Sequence, residues 1–116
     1  MEPKPRFIHG VFGFEGQGLE APFLLGASAT YAVPRDKRAQ LIYLRGGNSC
    51  DALIYLTLVR DGKTMRYFPI GARAGMHVPL AVVEDLFPES KLEVFLAAPK
   101  GCSGQVVVDV GIIEVD

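Results

Sequence analysis

The chain has 116 residues, 49% of them apolar and 22% charged, with 12 basic residues against 13 acidic ones and a formal net charge of −1. This length suits one domain whose core needs neither a disulfide nor a structural metal. The near-neutral charge excludes the basic surface of a nucleic-acid-binding domain, and no apolar run is long enough for a transmembrane helix.

Short apolar runs separated by Gly, Pro, Asp and Ser predict an all-β chain of about eight strands. Residues 1–5 are expected to be a disordered lead-in and residues 6–116 a single domain. In chain order the predicted strands are Arg6–Phe14, Ala29–Val33, Ala39–Arg45, Ala52–Arg60, Thr64–Ile70, Met76–Leu80, Lys91–Ala98 and Gln105–Val115. Helix is expected only as a turn or two over Leu80–Leu86. The pattern is typical of an antiparallel, jelly-roll-like β-sandwich.

The Asp61-Gly62 dipeptide lies between two of these strands and predicts a tight hairpin, because Asp and Gly tolerate the positive φ of a type I′ turn. Apolar residues alternate in the strand before this turn, Ala52–Arg60, and in the last two predicted strands of the chain. Alternate side chains of a strand share one face, so these stripes predict the inner layer of the sandwich. The stripes are Ile54, Leu56, Leu58; Leu92, Val94, Leu96; and Val106, Val108, Val110, Ile112.

The opposite faces of the same strands are also apolar, where a solvated sandwich would carry polar residues. The side chains concerned are Tyr55, Phe95, Val107, Ile113 and Val115. They are predicted to form an interface with a second copy or another protein, because large exposed apolar patches are rare on monomers. Cover by the chain's own loops is the alternative.

If successive strands run antiparallel, every second connection lies at the same end of the sandwich. Loops 15–28, 46–51, 71–75 and 99–104 should then meet at a glycine-rich end, and loops 34–38, 61–63 and 81–90 at a charged one. Glycine lets backbone approach a ligand closely, although the same glycines also suit simple turns. The candidate ligand-binding residues at the glycine-rich end are Asn48, Ser49, Asp51, Arg73, His77 and Ser103.

The cysteines Cys50 and Cys102 fall at this same predicted end. Free, partly buried thiols are the first expectation, a disulfide is the second, and a metal or thiol site with His77 is the third. No CxxC or HxxxH spacing supports a metal, and no motif supports a cysteine nucleophile. We therefore predict no metal, no cofactor and no catalytic residue.

These observations predict a non-catalytic β-sandwich that acts as a binding or assembly module in a homo-oligomer or larger complex, with no nucleic-acid or membrane partner. The polar start of the chain lacks the apolar stretch of a signal peptide, so a cytoplasmic location is expected. The alternatives are a small-molecule or carbohydrate-binding domain that uses the glycine-rich end, and a metal or thiol site at Cys50, His77 and Cys102.

Overall fold

The computed structural model describes residues 3–80 and 85–116. Within them the chain forms ten β-strands and no helix, and no helix there is long and apolar enough to cross a membrane. The strands are β1 (Lys4–Glu15), β2 (Gly18–Leu24), β3 (Thr30–Ala32), β4 (Arg38–Asn48), β5 (Ile54–Arg60), β6 (Lys63–Ile70), β7 (Gly75–Pro79), β8 (Asp85–Leu86), β9 (Lys91–Ala98) and β10 (Ser103–Val115).

The strands form two antiparallel sheets. The first sheet has the order β1-β10-β4-β7, with β8 also paired to β4, and the second has the order β2-β9-β5-β6, with β3 also paired to β9. Both β2 and β3 run antiparallel to β9, and both β7 and β8 run antiparallel to β4. When each split strand is counted once, the first sheet holds the first, eighth, third and sixth strands and the second holds the second, seventh, fourth and fifth. This is the jelly-roll connectivity, which confirms the predicted fold class.

One prediction about a connection is wrong. Residues 15–28 are not one loop, because Gly18–Leu24 form β2 and carry the chain away from the glycine-rich end alongside β9. This strand was not predicted from the sequence because it contains Glu20 and Pro22, and Glu and Pro are both depleted in strands. The glycine-rich loops still lie at one end, because β2 and β3 run in the same direction and count as one strand in the alternation. The helical turn expected over 80–86 falls mostly outside the described residues, and Asp85–Leu86 pair with β4 as a strand.

The core lies between the two sheets, where the structure confirms all three predicted stripes. Ile54, Leu56, Leu58, Leu92, Val94, Leu96, Val106, Val108, Val110 and Ile112 are all buried in one apolar cluster. Ile8 and Phe14 of β1 and Leu41 and Leu44 of β4 join the same cluster.

The predicted hairpin is also confirmed, since β5 and β6 pair across a turn in which Asp61 and Gly62 have φ of 50° and 81°. The Asp61 carboxylate accepts a hydrogen bond from the Lys91 backbone N–H at 2.8 Å, which ties the turn to the start of β9.

Candidate functional site

The glycine-rich end forms as parity predicts, and a disulfide between Cys50 and Cys102 joins two of its loops. The Cα atoms of these residues are 6.7 Å apart, within the range that a disulfide spans. The expectation of free thiols is therefore wrong, because the fold brings the two cysteines together across 52 residues of sequence. Disulfides of this kind persist in oxidising compartments. The cytoplasmic location stays a prediction, which the redox state of the pair in cells would test.

The metal or thiol site at Cys50, His77 and Cys102 is also wrong. Both sulfurs are used by the disulfide, and His77 lies on β7 opposite Arg45 of β4. Within residues 3–80 and 85–116, no group of three His, Cys, Asp or Glu side chains is placed to hold a metal ion.

Asn48 is part of the architecture of this end. Its side chain is buried, donates hydrogen bonds to the carbonyls of Ala52 at 2.9 Å and Gly71 at 3.1 Å, and accepts one from the Cys50 N–H at 2.9 Å. These bonds join the loop after β4 to the loop after β6. With its hydrogen-bonding capacity used in this way, Asn48 shapes the end of the sandwich and does not offer polar atoms to a ligand.

The other predicted ligand-binding residues divide into two groups. The Ser49 hydroxyl accepts a hydrogen bond from the Gln105 N–H at 2.8 Å, so its role is also local. Asp51 and Arg73 form an exposed ion pair. Asp51 and Ser103 line a polar cleft of about 460 Å³ together with Lys100 and the disulfide. Asp51, Ser103 and Lys100 are thus the polar groups this end presents to solvent around the cleft.

The outward side of the first sheet, which we call the open face, holds a second arrangement. The strand registers place His9 of β1, Asp109 of β10, Arg45 of β4 and His77 of β7 side by side across the sheet. This polar row crosses four strands. Within the row, Arg45 Nη1 lies 3.7 Å from Asp109 Oδ2 across the two strands.

Tyr43, on β4 beside the polar row, fixes its geometry. Its hydroxyl donates a hydrogen bond to Asp109 Oδ1 at 3.1 Å, the Arg45 guanidinium lies 4.7 Å from its ring centroid, and the His77 ring meets it edge-on at 5.9 Å. Burial, followed by the hydrogen bond to the Asp109 carboxylate, raises the pKa of Tyr43. The row is therefore a connected set of charges and rings held in place by its own contacts.

Apolar side chains flank the polar row on the β1 side. The exposed fractions of Phe7, Val11 and Val107 are 53%, 62% and 47%, and these residues line a groove of about 450 Å³ with His9, Tyr43 and Asp109. Glycine explains why Val107 stays exposed, since Gly47 lies opposite it and carries no side chain that could cover it. The open face is consequently an apolar groove with a polar centre, the usual composition of a binding surface.

The residues predicted as one interface lie on both outer faces. Val107, Ile113 and Val115 belong to β10 of the first sheet, whereas Tyr55 and Phe95 belong to β5 and β9 of the second. Because the two sheets pack through their inner sides, a single flat interface cannot include both sets. On the second sheet, Tyr55 packs against Tyr67 with ring centroids 5.5 Å apart and its hydroxyl donates to the Leu19 carbonyl.

The β1 half of the open face is not among the residues predicted from the sequence. In β1, Phe7, His9 and Val11 alternate with Ile8, Phe12 and Phe14, so the strand is apolar on both sides. That double alternation is the sequence signal that identifies Phe7 and Val11.

No protein-family model matches the chain, and no curated protein matches it. Solved structures match it by fold. T=1 particles derived from infectious bursal virus match with a TM-score of 0.54 at 13% identity over 97% of this chain and 31% of that chain. The Gx strain of infectious bursal disease virus matches with a TM-score of 0.55 at 12% identity over 97% and 32%, and the VP2 subviral particle of that virus with 0.51 at 13% over 97% and 32%.

The chain thus spans about a third of the length of the chains it matches. At such low identity the likeness establishes the fold alone. One fold hosts many unrelated functions, so the likeness does not establish a function. What this protein has in common with the matched structures is the two-sheet, all-β architecture.

Proposed function

We propose that this chain is a non-catalytic β-sandwich module that assembles with further copies of itself through the open face. The observation that carries the proposal is the exposure of Phe7, Val11 and Val107 around the polar row. Each such side chain, when fully buried, is stabilised by about 1.5–3 kcal/mol relative to water. A second copy that covered this face would recover part of that free energy.

The polar row supports a contact with one defined orientation of the second copy rather than a nonspecific hydrophobic contact. Asp109 is already bonded to Tyr43 and Arg45, while His9 and His77 are exposed at the two sides of the row. Charged side chains surrounded by apolar ones favour a single orientation of the partner. In any other orientation the charges would be desolvated without an oppositely charged or hydrogen-bonding group opposite them. The structures that resemble this chain are of virus-derived particles, which makes self-assembly the first property to test.

The non-catalytic part of the proposal rests on the state of the best nucleophiles. The two cysteines are joined to each other, and Asp109 of the polar row is held by a tyrosine and an arginine. A cysteine nucleophile requires a free thiolate, which a disulfide-bonded cysteine does not supply.

Sedimentation velocity over a range of concentrations tests the proposal. We expect the wild-type protein to associate and the double variant Val11→Lys/Val107→Lys to stay monomeric with little change in thermal stability, since both positions are exposed. The control is Tyr67→Lys, which introduces one lysine at an exposed residue of the second sheet and should associate like the wild type. A wild-type protein that is monomeric at high micromolar concentration would refute the proposal.

Ligand binding at the glycine-rich end is the second candidate function, favoured by the polar cleft that Asp51, Lys100 and Ser103 line. Small polyhydroxylated molecules such as sugars suit these donors and acceptors. Chemical shift changes confined to residues 50–52 and 100–103 on addition of simple sugars would support this function. A titration without shifts in these residues would count against it.

A further inference from the structure

The first strand, β1, is the edge of the first sheet and pairs on one side only. All of Lys4–Glu15 pairs with β10 in one continuous register, and no other described segment pairs with β1. Half of its backbone N–H and C=O groups therefore point away from the sheet. Apart from Pro5, the strand has no proline to interrupt that edge. An edge of this kind is a template for strand addition.

The remaining sheet edges are blunted. The β2–β3 edge contains Pro22 and is interrupted between its two strands, and β7 on the other edge of the first sheet is short and ends at Pro79. The third, β6, contains Pro69 and a register shift opposite Leu58 and Val59 of β5. Prolines, bulges and short strands are the usual devices against edge pairing. Among the edges that residues 3–80 and 85–116 form, only β1 is long and without an internal break.

We propose that two copies of this chain pair antiparallel along β1, about a two-fold axis at His9, and so join their first sheets into one. The inference rests on the proposed self-association and adds a second contact to it: packing on the open face would cover Phe7, Val11 and Val107, whereas edge pairing joins the two sheets side by side. The charges at the ends of the strand fit this direction, because an antiparallel copy brings the Lys4 end of one strand to the Glu15 end of the other. Opposite charges brought together in this way favour antiparallel over parallel pairing.

The alternation of side chains restricts the register. Two paired strands form one continuous sheet face only if outward residues of one copy lie opposite outward residues of the other. Phe7, His9 and Val11 must therefore lie opposite outward residues of the second copy. A two-fold axis at His9 places Phe7 of each copy opposite Val11 of the other. Aromatic and β-branched side chains paired across strands contribute about 0.2–1 kcal/mol per pair. This register forms two such pairs between exposed apolar residues, Phe7 of each copy beside Val11 of the other.

Cysteine cross-linking measures the register directly. A mixture of Phe7→Cys and Val11→Cys copies, treated with oxidised glutathione, should give a cross-linked dimer in several-fold higher yield than either variant alone. His9→Cys should cross-link with itself. The native cysteines remain paired with each other. Tyr67→Cys, exposed on the β6 edge, is the matched control and should cross-link poorly.

Amide exchange gives an independent reading. Rising protein concentration should slow exchange at every second residue of β1, because only alternate N–H groups face the open edge, and should leave β6 unchanged. Association by sedimentation without cross-linking of these pairs and without protection in β1 would overturn the edge inference while leaving self-assembly standing. A protein that stays monomeric at every concentration would overturn the edge inference and the proposed function together.

Discussion

The two outer faces of the sandwich have similar alternation and opposite exposure. On the second sheet Thr57 is only 3% exposed and Val59 is also buried, because the registers place Thr57 between Tyr67 and Phe95 and the aromatic rings shield the shorter side chains. On the open face, Gly47 lies opposite Val107 and Val11 lies on the edge strand β1, so both valines remain in water. Apolar content alone does not decide which face is available to a partner; the size of the neighbouring side chains does.

A carboxylate introduced on each face gives the largest expected difference. Val59→Asp should lower the free energy of unfolding by about 3 kcal/mol or more, because it buries an unpaired charge opposite Glu93. Val11→Asp is exposed, and its cost should stay within about 1 kcal/mol, the span of strand propensities. Urea denaturation of both variants measures the difference, and equal losses would show that the two faces are equally covered.

Glycine substitutions test why the open face is open. A β-carbon at Gly111 would overlap the Tyr43 ring, so Gly111→Ala must displace that ring and disturb its bond to Asp109. We expect a loss of about 1–3 kcal/mol, the usual cost of overpacking. Gly47→Ala is the matched control, since its β-carbon would sit 3.6 Å from that of Val107 in ordinary contact. If Gly47→Ala proves as costly as Gly111→Ala, the packing account of the groove fails.

The outer face of the second sheet contains a buried hydroxyl without a hydrogen-bond partner among the described residues. Thr57 Oγ1 is buried and has no hydrogen-bond partner within the described structure. Leaving such a group unpaired costs about 1–3 kcal/mol on mutational scales, so Thr57→Val, which replaces the hydroxyl with a methyl group of similar size, should raise the unfolding free energy by up to about 1 kcal/mol. Thr64→Val, at an exposed neighbouring position on β6, is the control and should change little. Destabilisation by Thr57→Val would indicate that the hydroxyl is bonded after all.

Most strand positions, the hairpin and the core stripes were predictable because each depends on local alternation or on a turn dipeptide such as Asp61-Gly62, whereas β2, with Glu20 and Pro22, shows neither. The meeting of Cys50 and Cys102 was also predictable, since strand parity depends only on the order of strands. Their chemical state was not, because parity gives an end of the molecule and not a distance. The polar row was not predictable either: His9, Asp109, Arg45 and His77 come from four strands, and only the pairing registers bring them into line.

The smallest expected effect is alkaline destabilisation from the open face. The pKa of Tyr43 is raised in the folded protein by burial and by its bond to Asp109, so the folded state holds the phenolic proton more tightly than the unfolded state does. By linkage, this contribution to stability is fully present below the unfolded tyrosine pKa of about 10 and is lost as pH rises through the folded value. Tyr43→Phe should therefore lose stability less steeply above about pH 10 than the wild type does. Urea denaturation at several pH values measures the two slopes. Tyr43→Phe and wild-type slopes that coincide would mean that neither burial nor the bond to Asp109 raises the pKa of Tyr43 in the folded protein.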